Sequence, residues 1–406
     1  MRETRTRDAI VMIVVSVMLV VIGSALVVHL QVSPPEILKY QGDARWYIAM
    51  ADGHAQSVPV PFKYRFLVPA LARLLPMDAG SSLAAITYIC LFVSYFIALM
   101  ICRQIGIGLF PSVIGLLAMY TARASQFNYF DPYLTDAFGL MASFIMLHAY
   151  LRNSVGQFTV AAVVGTLGRE SVLFLSPLWL LSKRRWQTAM VICASVVALI
   201  VPRIVLRTPG DPNSLAYIFM AARKVNLPGH VGHYLATSHC AWHFLWFLAP
   251  AGIILIPAER RRPIVWTTVL LGVGAFLSSI IARDATRMYA ALAPVVLITS
   301  AVVFSHLWTA NRAMAWAFVV LLVARFFVGN PTVFGSSLGL IQQTGSLSPM
   351  RQANAISFAP LLAFYLIGLV YACLVYLVLR SRIACAWREI IAARNARRQV
   401  KQAEGN

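Results

Sequence analysis

Four short stretches, far apart in this chain, carry charged residues at spacings suited to a phosphate and a reacting hydroxyl. The first reads Gly42-Asp43-Ala44-Arg45-Trp46-Tyr47 and continues at Pro61-Phe62-Lys63-Tyr64-Arg65. A carboxylate such as Asp43 can take a proton from a hydroxyl, while Lys63 and the forked guanidinium of Arg65 can hold a phosphate. Trp46, Tyr47, Phe62 and Tyr64 suit a membrane interface or a sugar face. The plainer alternative is an aromatic belt with snorkelling cations.

The second stretch is Asn128-Tyr-Phe-Asp131-Pro132-Tyr133-Leu-Thr-Asp136. Asp131 fits a helix N-cap with proline at the first helical position. Asp136 falls one turn further in and needs a cationic partner, for which Arg123, Arg169 and Arg287 are the candidates. Such a pair can also serve packing alone. In the third stretch, Gly168-Arg169-Glu170-Ser171, glycine permits a sharp turn and the two opposite charges can face different partners. It reads either as phosphate or acceptor binding or as an internal ion pair. The fourth is Arg283-Asp284-Ala-Thr-Arg287. Arginines four apart share a helical face and can grip a phosphate bidentately while Asp284 orients one of them. A tight charged turn between two spans is the alternative.

Other polar groups carry less. His230, His233, His239 and His243 have spacings compatible with zinc, but Gly229 and Gly232 interrupt them and no H-E-x-x-H helix occurs. They read as interfacial histidines. Arg203 and Arg207 read as snorkelling cations at a helix end. Phosphate-loop and dinucleotide fingerprints are missing from the sequence, so nucleotide-dependent chemistry has no support.

The elements that must position these groups are membrane helices. The 406 residues are 60% hydrophobic and only 12% charged, with mean hydropathy +0.74, too apolar for a soluble domain. The expected fold is an all-α polytopic membrane protein of about ten transmembrane helices, near 10–30, 82–102, 107–122, 133–151, 187–206, 242–257, 264–282, 288–308, 314–330 and 356–380. The first run is longer than a signal-peptide core and stays as an anchor. Short basic loops put both termini in the cytoplasm, with 19 of 34 Lys and Arg on that side. The net charge of +20 therefore marks orientation on anionic lipid and not a nucleic-acid partner.

Between Arg152 and Lys183 an apolar stretch has both flanks on the cytoplasmic side. It reads as a hairpin of two short helices broken at Gly168-Arg169-Glu170, with its tip toward the outer face. Residues 1–380 form one multi-pass domain, with outer loops at 31–81, 207–241 and 331–355. Residues 381–406 form a basic cytoplasmic tail, read as an interfacial helix. This topology gathers nine of the fourteen acids at the outer face, including Asp43, Asp52, Asp131, Asp136, Glu170 and Asp284. Ionisable groups at membrane depth are costly, and their convergence points to one site. The six cysteines are scattered and show no C-x-x-C motif.

An acid just beyond the first span, a broken mid-chain helix and charges at several outer helix ends resemble the GT-C superfamily of membrane glycosyltransferases, which use polyprenyl-phosphate-linked sugars. The likeness covers most of the chain as topology, and as local sequence residues 40–76, 128–136, 165–177 and 282–294. It implies transfer of a sugar from a polyprenyl-phosphate donor to a glycan, lipid or protein acceptor at the extracytoplasmic face of the plasma membrane. Asp43 would be the general base, and Lys63, Arg65, Asp131, Asp136, Arg169, Glu170, Arg283, Asp284 and Arg287 would hold substrate or phosphate. The paired acid seen in many members is missing beside Asp43, and Asp52 lies nine residues on. No cofactor follows from the resemblance, and a divalent metal stays open. A transporter or flippase of lipid-linked solutes, or a non-catalytic assembly subunit, is the alternative reading.

Overall fold

The computed structural model describes residues 2–29, 43–121, 128–129, 131–182, 185–208, 241–281, 288–328 and 358–403. All regular structure among them is helical. In chain order the helices are α1 (Arg2–His29), α2 (Ala44–Ala51), α3 (Leu67–Arg73), α4 (Ala79–Gln104), α5 (Leu109–Thr121), α6 (Asp136–Leu151) and α7 (Val155–Gly168). They continue as α8 (Arg185–Val205), α9 (Leu245–Leu255), α10 (Ala258–Ile281), α11 (Ala293–Ala310), α12 (Arg312–Val328) and α13 (Phe358–Ala403).

Each expected span falls on a helix, but the helices differ in length. Five stretches among the described residues are long and apolar enough to cross a membrane: Thr6–Leu26, Ala79–Gln104, Arg185–Val205, Tyr289–Ala310 and Leu366–Ala393. Helices α5, α6 and α9 have 13, 16 and 11 residues, short of the roughly 20 that a hydrocarbon core about 30 Å thick requires. A polytopic helical membrane protein follows from these lengths. The count of ten crossings rests on the basic anchors instead. The Tyr289–Ala310 stretch is 78% buried, against 17% for Thr6–Leu26. It is the central post around which the other helices pack, and the N-terminal helix lies at the rim.

Polar ties between helix ends define two opposite ends of the bundle. At one end Asp8 pairs with Arg103, Arg260 Nη1 donates to the Leu151 carbonyl at 3.1 Å, and Arg382 Nη1 donates to Thr309 Oγ1 at 2.8 Å. These cations come from the same basic clusters that the sequence assigns to one side. At the other end lie the N-terminus of α6, the C-termini of α7 and α8, and residues 43–78. There, two short helices bury one face each: α2 with Tyr47, Ile48 and Met50, α3 with Val68, Pro69 and Ala72. They pack on each other and on α4, so the described part of this connection is folded onto the bundle.

The hairpin break is the feature that places the site. Helix α7 runs 14 residues, about 21 Å, and stops at Gly168. Arg169 is fully extended (φ −156°, ψ 118°), and a 3₁₀ segment follows from Glu170 to Ser182 with Pro177 inside it. A Cβ on Gly168 would sit 2.4 Å from the Phe138 ring, so only glycine lets α7 end this close to α6. Pro177 lacks the N–H that a regular α-helix would need there, so the α winding is interrupted. A 3₁₀ run of 13 residues is unusual, since its hydrogen bonds are poorer. At about 21 Å, α7 is shorter than a hydrocarbon core about 30 Å thick.

The last helix also departs from expectation. Helix α13 is continuous for 46 residues, about 69 Å. The sequence boundary at 380 falls inside it, and the basic tail continues the last span without a break. Hydrogen bonds from Tyr371 to the Met314 carbonyl and from Arg382 to His306 and Thr309 hold it against α12 and α11.

Candidate functional site

Two ion-pair clusters flank the break, because consecutive residues on an extended backbone point in opposite directions. Arg169 turns inward. Its Nη2 lies 2.6 Å from Asp136 Oδ1, with the side chains only 7% and 5% exposed. Its aliphatic stem crosses Gly139, where a Cβ would come 2.9 Å from Arg169 Cδ. Arg169 is thus a partner of Asp136, while the other two candidates, Arg123 and Arg287, lie outside the described residues. A cavity of about 30 Å³ lies beside the pair, lined also by Ser143, Ser171, Ser278 and Met288. That is room for water and not for a sugar ring. Asp136 and Arg169 are thus engaged with each other as a buried brace between α6 and the hairpin tip.

Glu170 turns the other way, toward the first connection. Arg65 Nε donates to Glu170 Oε2 at 2.7 Å, and Arg203 Nη2 lies 3.5 Å from Oε1, so each carboxylate oxygen faces a different guanidinium. Arg65 Nη1 also donates to the Tyr47 hydroxyl at 2.9 Å, and the Arg203 guanidinium stacks 5.0 Å from the centre of the Tyr64 ring. Lys63 is buried, and its Nζ donates to Thr208 Oγ1 at 3.0 Å. The cluster therefore joins α2, the 3₁₀ turn Phe62–Tyr64, the hairpin tip and the end of α8. Burial alone would lower the Arg65 pKa, but the Glu170 carboxylate and the Tyr47 hydroxyl outweigh it and hold the guanidinium well above its usual range. Arg65 stays charged at every accessible pH.

Arg203 corrects the sequence reading. It is no snorkelling cation, since it faces Glu170 and stacks on Tyr64 from the last turn of α8. Its spacing from Arg207 holds no hint of this, because the partners come from residues 64 and 170. Tyr47 and Tyr64 also differ from expectation. Both are buried, Tyr47 edge-on to Phe62 at 6.0 Å, so they support the cations and do not offer a free face to a sugar.

Asp43 precedes α2 and its backbone is already helical (φ −74°, ψ −28°). It therefore stands one turn before Tyr47 on the same helical face, and its carbonyl accepts the Trp46 N–H at 3.1 Å. Asp43 is thus half-buried one helical turn before the residue whose hydroxyl touches Arg65. Asp131 is not the N-cap of α6. The helix begins five residues later at Asp136 with Thr135 as its cap residue, because Tyr133, Leu134 and Thr135 are drawn into the core as a turn. Tertiary burial there overrides the Asp-Pro preference. Arg283, Asp284, Arg287 and the histidines at 230, 233 and 239 lie outside the described residues. Among the described residues no three His, Cys, Asp or Glu come together in a way that could hold a metal ion. The chain matches no family model, no curated protein and no solved structure.

Proposed function

We propose that this chain is a membrane glycosyltransferase of the GT-C type, working at the extracytoplasmic face with a polyprenyl-phosphate-linked sugar as donor. The observation that carries the reading is the meeting of Arg65 and Arg203 on one partly open carboxylate at the depth of the helix break, with Arg65 also bonded to Tyr47, which follows Asp43 by one helical turn. Forked, permanently charged donors at that depth suit a phosphate whose lipid tail lies in the bilayer. The chemistry follows from the positions. Asp43 takes the proton of an acceptor hydroxyl, and the acceptor oxygen bonds to the anomeric carbon of the sugar. The bond from that carbon to the phosphate oxygen breaks, and the departing polyprenyl phosphate keeps the electron pair beside Arg65 and Arg203. A single displacement inverts the anomeric centre. The acceptor is a glycan, a lipid or a protein.

The test is transfer of radiolabel by purified protein in lipid nanodiscs. A panel of polyprenyl-phosphate sugars is offered with a mixture of membrane glycolipid and glycan acceptors, and nucleotide sugars serve as the control. The reading expects label to move from one lipid-linked donor and from no nucleotide sugar. Movement of intact lipid-linked donor across a proteoliposome, without transfer, would favour the transporter reading instead.

A further inference from the structure

We infer that Glu170 is an internal stand-in for the ligand's phosphate, occupying Arg65 and Arg203 until the phosphodiester of the donor, or the polyprenyl monophosphate it leaves, exchanges with it. This rests on the proposed phosphate-linked donor and adds how the site is kept when empty.

The two ion pairs beside the break differ in a way that decides which one can open. The Arg169 and Asp136 side chains are 7% and 5% exposed, whereas Arg65 and Glu170 are 16% and 19% exposed. The second pair is the more exposed of the two. Each Glu170 oxygen takes one guanidinium, at 2.7 and 3.5 Å, the arrangement in which a phosphate would present two of its oxygens to the same arginines. The longer contact, to Arg203, is the looser one and the natural point of entry. Arg65 keeps its hydrogen bond to Tyr47 and Arg203 its stack on Tyr64, so both cations are held from behind while the carboxylate leaves. Glu170 is the first residue after the extended break and opens a 3₁₀ segment, so its departure breaks into no regular α-helix. Two arginines facing each other without an anion would repel, and the internal carboxylate removes that cost while the site is empty.

An internal competitor lowers apparent affinity by the fraction of time it holds the site. Removing its charge while keeping its size must therefore tighten phosphate binding. A residue that contacted substrate directly, or one that only braced the fold, would do the reverse or nothing. The experiment titrates wild-type protein and Glu170→Gln in nanodiscs with polyprenyl monophosphate, and separately with inorganic phosphate, by calorimetry. Exchange predicts roughly tenfold tighter binding of the lipid phosphate to Glu170→Gln, with inorganic phosphate following the same order more weakly. Equal or weaker binding by a folded Glu170→Gln, with the wild type binding normally, overturns the exchange and leaves the donor reading standing. Inorganic phosphate binding as tightly as the lipid would keep the exchange and remove the lipid-linked source. Failure of both proteins to bind either probe overturns both. Should Glu170→Gln not fold, infrared difference spectra of the wild-type protein read the same event. The Glu170 carboxylate band must shift when polyprenyl monophosphate is added, and an unshifted band overturns the exchange.

Discussion

Arg65 is the side chain on which most of the site depends. It touches Glu170 and Tyr47 at once, which asks for two donors in a fixed plane. Lysine offers a single point charge, so Arg65→Lys is expected to weaken donor binding nearly as much as Arg65→Ala, about tenfold or more by donor titration. Arg203→Ala should weaken it too, while leaving the thermal midpoint close to wild type, since this arginine sits in the last turn of α8. Asp136→Asn is expected to behave in the opposite way. It breaks a buried pair and should cost about 3–5 kcal/mol of stability, read as a lower unfolding midpoint in detergent. Replacing both partners together, Asp136→Leu with Arg169→Met, should recover much of that loss. The sequence marks Arg65, Arg169 and Glu170 because charge in an apolar chain is conspicuous. It does not assign partners, since Arg65 and Glu170 are 105 positions apart. Arg203 escapes notice for the same reason, as its two partners lie on other elements.

Helices and turns were legible to different degrees. The broken hairpin is visible in Gly168-Arg169-Glu170 and in the basic flanks, because a glycine followed by two charges inside an apolar run interrupts a helix that would otherwise continue. Its second arm was not legible as a 3₁₀ segment, since Pro177 signals a defect without naming the winding that results. The sequence misplaces the start of α6 at Asp131, where local preference gives way to burial of Tyr133 and Leu134. These elements are mechanically linked at Gly168, where the chain passes against Phe138. Gly168→Ala should therefore push α7 off α6 and cost about 1–3 kcal/mol by overpacking. Because the tip carries Glu170, the same substitution should also change donor affinity, and a shift in midpoint with unaltered donor titration would separate the break from the site.

For the molecule as a whole, the proposed activity requires the charges of the site to share one face. Ties such as Asp8 to Arg103 and Arg382 to Thr309 hold the basic ends together, at the end of the bundle away from Arg65 and Glu170. In a cysteine-free background, cysteine at Ser57 should react with an impermeant thiol reagent from outside intact cells, and cysteine at Ala310 should react only after permeabilisation. The reverse pattern would move the site to the cytoplasmic face. Hydropathy and basic loops suggest this orientation from sequence alone, because the bilayer restricts the chain to helices of set length. The third dimension is not carried by the same signal, and neither is the 46-residue length of α13, since a basic stretch after a span reads equally as a surface helix. Everything proposed for this protein turns on whether the outer face transfers a sugar with Asp43 taking the acceptor proton. Single-turnover transfer by wild-type protein and by Asp43→Asn, alongside donor titration of both, decides it. The expected outcome is a loss of about 10²–10⁴ in rate with donor binding retained. Full transfer by a folded Asp43→Asn, in a protein whose wild type transfers sugar, would remove Asp43 from the chemistry.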